Sequence, residues 1–148
     1  MISAKGIRDV MNFKGITIAI ENPVDSTREG VDADGNPWST TFLYPYGYIL
    51  GTRGVDNDGV DCFVGGNLLS DKVFIIHQTD GKDNYDEDKC MLGFDNKEQA
   101  RDAYLAHYDS QSFLGEITEM PFFEFKELLK TKGQEGQTID VKRFNNEK

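Results

Sequence analysis

Apolar and smaller residues alternate along GITIAIENP, where Ile16, Ile18 and Ile20 share one face. This period of two predicts a strand that Pro23 ends. Ahead of it Ile7, Val10 and Met11 stand at helical spacing, so residues 1 to 12 are expected to form a short amphipathic helix. VDSTREGVDADGNPWSTTF carries two strand-like pieces around Asp34-Gly35-Asn36-Pro37, turn chemistry that reads as a hairpin. After YPYGYILGT and an acidic turn come DCFVGG and KVFIIHQT, both strand-like. A polar loop, DGKDNYDED, leads into a further strand, KCMLGF. From Asn96 the period lengthens: Ala100, Ala103, Tyr104 and His107 fall on one helical face, with Asn96 as N-cap and Glu98 and Gln99 in the first turn. ITEM is a short extended piece, and MPFFEFKELLKTKG predicts a second helix with Pro121 near its start and Gly133 past its end. Strands first, helices last and no βαβ alternation predict an α+β fold, an antiparallel barrel or sheet with the helices on one side.

A length of 148 residues fits one domain, 1–148, with the polar residues 134–148 as a tail. The excess of 26 Asp+Glu over 16 Lys+Arg gives a net charge of -10, which repels nucleic acid and anionic lipid. No apolar run approaches a membrane span and no leader pattern opens the chain, so a cytoplasmic address is expected. Cys62 and Cys90 stand in apolar stretches without CxxC spacing and are expected as reduced core residues. His77 and His107 lack zinc spacing and are expected in structural roles.

The stretch GVDNDGVDCFVGG crowds Asp56, Asp58 and Asp61 into six positions. Two such charges about 4 Å apart repel by roughly 4 kcal/mol at an effective dielectric near 20, so they splay into water or gather around a cation. Neither this stretch nor DADGN is an EF-hand: the twelfth position from Asp56 is Asn67, and from Asp32 it is Leu43. A second acidic loop holds Asp80, Asp83, Asp86, Glu87 and Asp88, and the nearby polar tips are Arg28, Tyr44, Tyr46, Tyr48 and Lys89. Oxygen-only ligands suit Mg²⁺, Mn²⁺ or Ca²⁺. If the strand at 62 to 64 neighbours the one at 73 to 79, the two acidic loops meet in a site for two hard cations.

YGYILGT, then three residues, then DNDGVDCFV resembles the signature of soluble family I inorganic pyrophosphatases, a Tyr-Gly-Tyr-Ile segment followed by D-G-D-P-x-D and a hydrophobic strand. IENP resembles the family's strand end and YDEDKCMLG its E-D-x-K strand start; the likeness spans roughly residues 15 to 110, with a cast similar to small phage-encoded domains. The resemblance implies a closed, five-stranded, OB-like barrel with helices against it. It implies hydrolysis of pyrophosphate to two phosphates with Mg²⁺, or Mn²⁺, as cofactor. Asp56, Asp61, Asp80, Glu87 and Glu21 would serve the metals, with Asp83 a rival to Asp80, and Asp58 would accept the proton of the attacking water. Arg28, Tyr46, Lys89 and Tyr108 would bind the phosphoryl groups.

The chain departs from that pattern at Gly30, where the family has a second acid, near Trp38, where its arginine has no counterpart, at Asp109, and at Asn57 and Gly59 within the signature. Fewer phosphate-binding cations leave two alternatives open, a non-catalytic binding or regulatory module and a phosphohydrolase acting on a nucleotide or another phosphoanhydride. A homo-oligomer and a phage origin, with a host-cytoplasm address, also follow from the resemblance alone.

Overall fold

A computed structural model describes residues 9–52, 59–108 and 110–130. The elements are β1 (Asp9–Phe13), β2 (Ile16–Asn22), β3 (Thr27–Val31), β4 (Pro37–Thr41), β5 (Tyr46–Ile49), β6 (Val60–Val64), β7 (Lys72–Thr79), β8 (Tyr85–Leu92), α1 (Lys97–Leu105), β9 (Ile117–Pro121) and α2 (Phe122–Leu128). Seven strands form one sheet in the order β1-β2-β5-β6-β8-β7-β9, and β3-β4 is a separate hairpin. The α+β class stands.

The helix expected over residues 1 to 12 gives way to a strand where it is described. Asp9 to Phe13 pair one for one with Ile20 to Ile16 through a turn whose Lys14 and Gly15 both take positive φ, 49° and 95°. Phe13 is buried and Val10 is 54% exposed, so alternation prevails over the helical spacing of Val10 and Met11; Ile7 lies outside the described residues. The β3–β4 hairpin is as expected: Asp32 Oδ1 accepts from the backbone N–H of Asp34 and Asn36, and Gly35 takes φ 83°. Asn96 caps α1 as read, its Oδ1 accepting from the Gln99 N–H at 2.8 Å.

Two expectations about the sheet are corrected. It is not antiparallel throughout, because β6 runs parallel to β8 with Asp61↔Lys89, Cys62↔Cys90, Phe63↔Met91 and Val64↔Leu92 in register. The neighbour of β6 is therefore β8, with β7 one strand further out. Nor do the helices share a side. Ile18, Ile49, Cys62, Val64, Ile75, Cys90 and Leu92 pack with Phe122, Phe125 and Leu128 of α2. On the other face Tyr46, Phe63, Phe74, Ile76 and Met91 pack with Ala100, Ala103 and Tyr104 of α1 and with Phe42 beyond the hairpin. Central strands apolar at successive positions have two faces to bury, and one helix covers each. Cys62 and Cys90 are buried and free, as expected.

The sheet curls until its ends meet through side chains. Phe13 lies edge-on to Phe122 at 5.6 Å, and Lys14 Nζ reaches Asp71 Oδ1 at 2.9 Å and the Ser70 carbonyl at 3.1 Å. Among the described residues no ladder joins β1 to β9, so the closed barrel implied by the resemblance is not formed by backbone pairing. Among the described residues, too, no helix is long and apolar enough to cross a membrane.

Candidate active site

Parallel pairing of β6 with β8 decides where charge gathers. Both strands emerge from acidic stretches, and a parallel pair puts the two starts at one end of the sheet, where an antiparallel pair would separate them. Asp61 thereby lies directly beside Lys89, with Glu87 two residues back on the same face. Lys89 is only 5% exposed, and its ammonium donates to Tyr46 Oη at 2.7 Å and pairs with Asp61 Oδ2 at 2.8 Å and Glu87 Oε1 at 2.8 Å. An ammonium has three N–H donors, and three oxygens lie within 2.8 Å of this one.

Burying an ion costs several kcal/mol, offset only by close opposite charge and full hydrogen bonding. Burial alone draws the Lys89 ammonium down, but the carboxylates of Asp61 and Glu87 and the hydrogen bond to Tyr46 Oη outweigh it and hold the lysine well above its ordinary value. Burial pushes the Tyr46 phenol far up, against the pull of Lys89, so it stays protonated. Burial likewise raises Tyr108, with Lys89 and Arg28 opposing and Asp61 and Glu87 reinforcing. That set of fields places Tyr108, Arg28, Lys89, Asp61 and Glu87 in one neighbourhood.

A cavity of about 130 Å³ opens over this group, lined by Arg28, Trp38, Thr40, Tyr46, Lys89 and Tyr108. Phe42, Phe63 and His107 close it behind. His107 follows the end of α1 rather than continuing it. Its Nε2 accepts from the Leu43 N–H at 3.0 Å and its Nδ1 lies 2.6 Å from the Ala103 carbonyl, the bonds of a neutral structural histidine. Tyr108, expected on the helix, also lies past its end and stacks on Tyr104 at 4.4 Å. Tyr104 in turn donates to Gln78 Oε1 at 2.6 Å, and Gln78 Nε2 donates to Asp86 Oδ2 at 3.1 Å.

Of the acids expected to serve metals, the structure joins Asp61 and Glu87. Asp80 lies in the β7–β8 turn. Its Oδ1 accepts from the Lys82 and Asn84 N–H groups and its Oδ2 from the Asn84 amide, bonds that close the β7–β8 turn and lower its pKa. Asp83, the rival, is an exposed turn residue at φ 67°. The polar loop is shorter than read, because β8 starts at Tyr85 and absorbs the acids into the sheet. Asp88, on the face opposite Lys89, accepts from Tyr85 Oη at 2.9 Å and pairs with His77 Nδ1 at 2.7 Å, while His77 Nε2 meets Thr118 Oγ1 at 2.7 Å. Glu21 sits at a bulge of β2 between Ile20 and Asn22, half-buried. Asp56 and Asp58 lie outside the described residues. Just after them, a Cβ on Gly59 would stand 2.5 Å from the Tyr48 ring, so the family's proline has no room here.

Asp61 and Glu87 approach one positive centre from two strands with oxygen donors only, a set that fits a hard divalent cation. Among the described residues no three Asp, Glu, His or Cys side chains gather as a cage. Sequence reasoning missed Thr40, Trp38 and Gln78. The register Arg28↔Thr40 and Gly30↔Trp38 was the one available signal for the first two, because strand partners share a face. The sequence model of one family, described as Inorganic Pyrophosphatase, matches residues 5–130. No curated protein matches the chain.

Proposed function

Because the chain belongs to the inorganic pyrophosphatase family, we propose that it hydrolyses inorganic pyrophosphate to two phosphates with Mg²⁺, or Mn²⁺, as its cofactor. The observation that carries this reading is the buried Lys89 ammonium shared by Asp61, Glu87 and Tyr46 at the floor of a cavity that Arg28 and Tyr108 also line.

Asp61 and Glu87 would hold metal together with Asp56, with Glu21 as a further candidate. When bound, a divalent ion neutralises phosphoryl charge and makes water a nucleophile near neutral pH. Asp80, exposed in its turn, is a further candidate for the set. Arg28 offers a planar, permanently charged fork to one phosphoryl group. Lys89 serves the other, but with three oxygens already within 2.8 Å it takes a phosphoryl oxygen only as one carboxylate lets go. Anion binding is thereby coupled to engagement of Asp61 and Glu87 elsewhere. Tyr46 keeps the ammonium oriented, and Tyr108, held by its stack on Tyr104, closes the side of the cavity. Asp58 takes the proton of the attacking water.

Phosphate release from pyrophosphate, followed with Mg²⁺, with Mn²⁺ and with EDTA, tests the reading. Release with either metal, abolished by EDTA and reduced about 100-fold or more in Asp58→Asn, is the expected result. No release with either metal overturns it.

A further inference from the structure

The cavity face of the β3–β4 hairpin carries Arg28 and Gly30 on one strand and Thr40 and Trp38 on the other, as cross-strand pairs. A Cβ built on Gly30 would stand 2.4 Å from Trp38 Cζ2 and 2.6 Å from Cε2. The indole therefore lies flat over the glycine, in a pose that any side chain at position 30 would expel. Trp38 is half-buried and lines the cavity on the side of Arg28 and Tyr108, with Lys89 at the floor. A ring-free diphosphate gains little from a planar indole, which has one N–H donor and a broad apolar face. A heteroaromatic ring gains a stacking platform, worth about ten-fold in affinity on the scale of base–aromatic contacts. The cavity is about 130 Å³, room for phosphoryl groups at the cations but not for a base as well, and Trp38 is among the residues that line it.

We infer that this site accepts nucleoside triphosphates, the base stacked on Trp38 and the terminal phosphoryl groups at Arg28 and Lys89. The inference rests on the phosphoanhydride-hydrolase reading and names a second substrate class for the same site. In the reaction, water forms a new bond to the terminal phosphorus, the bridging P–O bond breaks with its electron pair staying on the departing nucleoside diphosphate, and the water's proton is released to solvent. Gly30 is the positioning residue that keeps the indole in place.

Trp38 is the only tryptophan of the chain, so its fluorescence reports the mouth of the site directly. The full chain with Mg²⁺ is titrated with a methylene-bridged, non-hydrolysable nucleoside triphosphate analogue and, separately, with ring-free methylenediphosphonate. Saturable quenching by the nucleotide analogue, relieved by the diphosphonate, which does not quench by itself, is the expected result. Calorimetry should then show affinity for the nucleotide analogue about ten-fold weaker in Trp38→Ala and in Gly30→Ala, and retained in Trp38→Phe. Unchanged fluorescence with the nucleotide analogue while the diphosphonate binds by calorimetry, or equal quenching by both ligands, overturns the inference and leaves the pyrophosphatase reading standing. Binding of neither ligand, with no hydrolysis of pyrophosphate, overturns both.

Discussion

At Lys89 a single buried ammonium meets a buried phenol and two half-buried carboxylates. Removing it leaves two half-buried acids side by side without their counter-charge, so Lys89→Met should cost about 3 kcal/mol in urea unfolding, the low end for a buried pair because both acids keep some water. Tyr46→Phe removes one acceptor from a charged donor and should cost about 1.5–3 kcal/mol by the same measurement. A result near zero for both would mean that the group is open to water. That Asp61, Glu87, Tyr46 and Lys89 are chemically able was legible from residue type and the likeness of YGYILGT and YDEDK to a known signature. That the Lys89 ammonium is enclosed by three oxygens was not, because partners from three strands are unrelated in chain position.

Among the elements, hairpin, strand and cap signals read well where the determining residues are neighbours. Asp34-Gly35-Asn36-Pro37 makes its turn and Asn96 caps α1. Asn96→Ala should accordingly cost about 1 kcal/mol in thermal or urea unfolding. The misreadings lie where a strand's fate depends on its partner. Asp9–Phe13 became a strand because β2 offered an edge, and Tyr85–Asp88 entered β8 because His77 and Gln78 of β7 took up Asp88 and Asp86. At the β2–β5 crossing a Cβ on Gly47 would lie 1.8 Å from the Ala19 carbonyl oxygen, backbone that cannot swing aside. Gly47→Ala should cost about 3 kcal/mol and disturb Tyr46 next to it, so unfolding and activity should fall together.

For the whole molecule, His107 ties the hairpin side of the cavity to the end of α1, and burial holds its pKa below the ordinary 6.5. The unfolded chain then binds the histidine proton first as pH falls. Stability from this group is full at neutral pH and is lost progressively below about pH 6.5, until the folded form protonates as well. Urea midpoints taken from neutral pH to about pH 5 should drop more steeply for the wild type than for His107→Gln; equal slopes would remove His107 as the cause. The sequence by itself determined the α+β class, the hairpin, both helices, the reduced buried cysteines and the residue types able to hold phosphate and hard cations. Each of these rests on periodicity, turn chemistry or functional groups carried by residues close in the chain. Only the tertiary structure decided that β6 lies parallel to β8, that α1 and α2 cover opposite faces, that Asp80 accepts hydrogen bonds within the β7–β8 turn, and that Trp38 lies over Gly30. Those outcomes follow from strand order and register, which are set by how two apolar faces of one sheet are buried at once, and no local stretch of the chain encodes that balance.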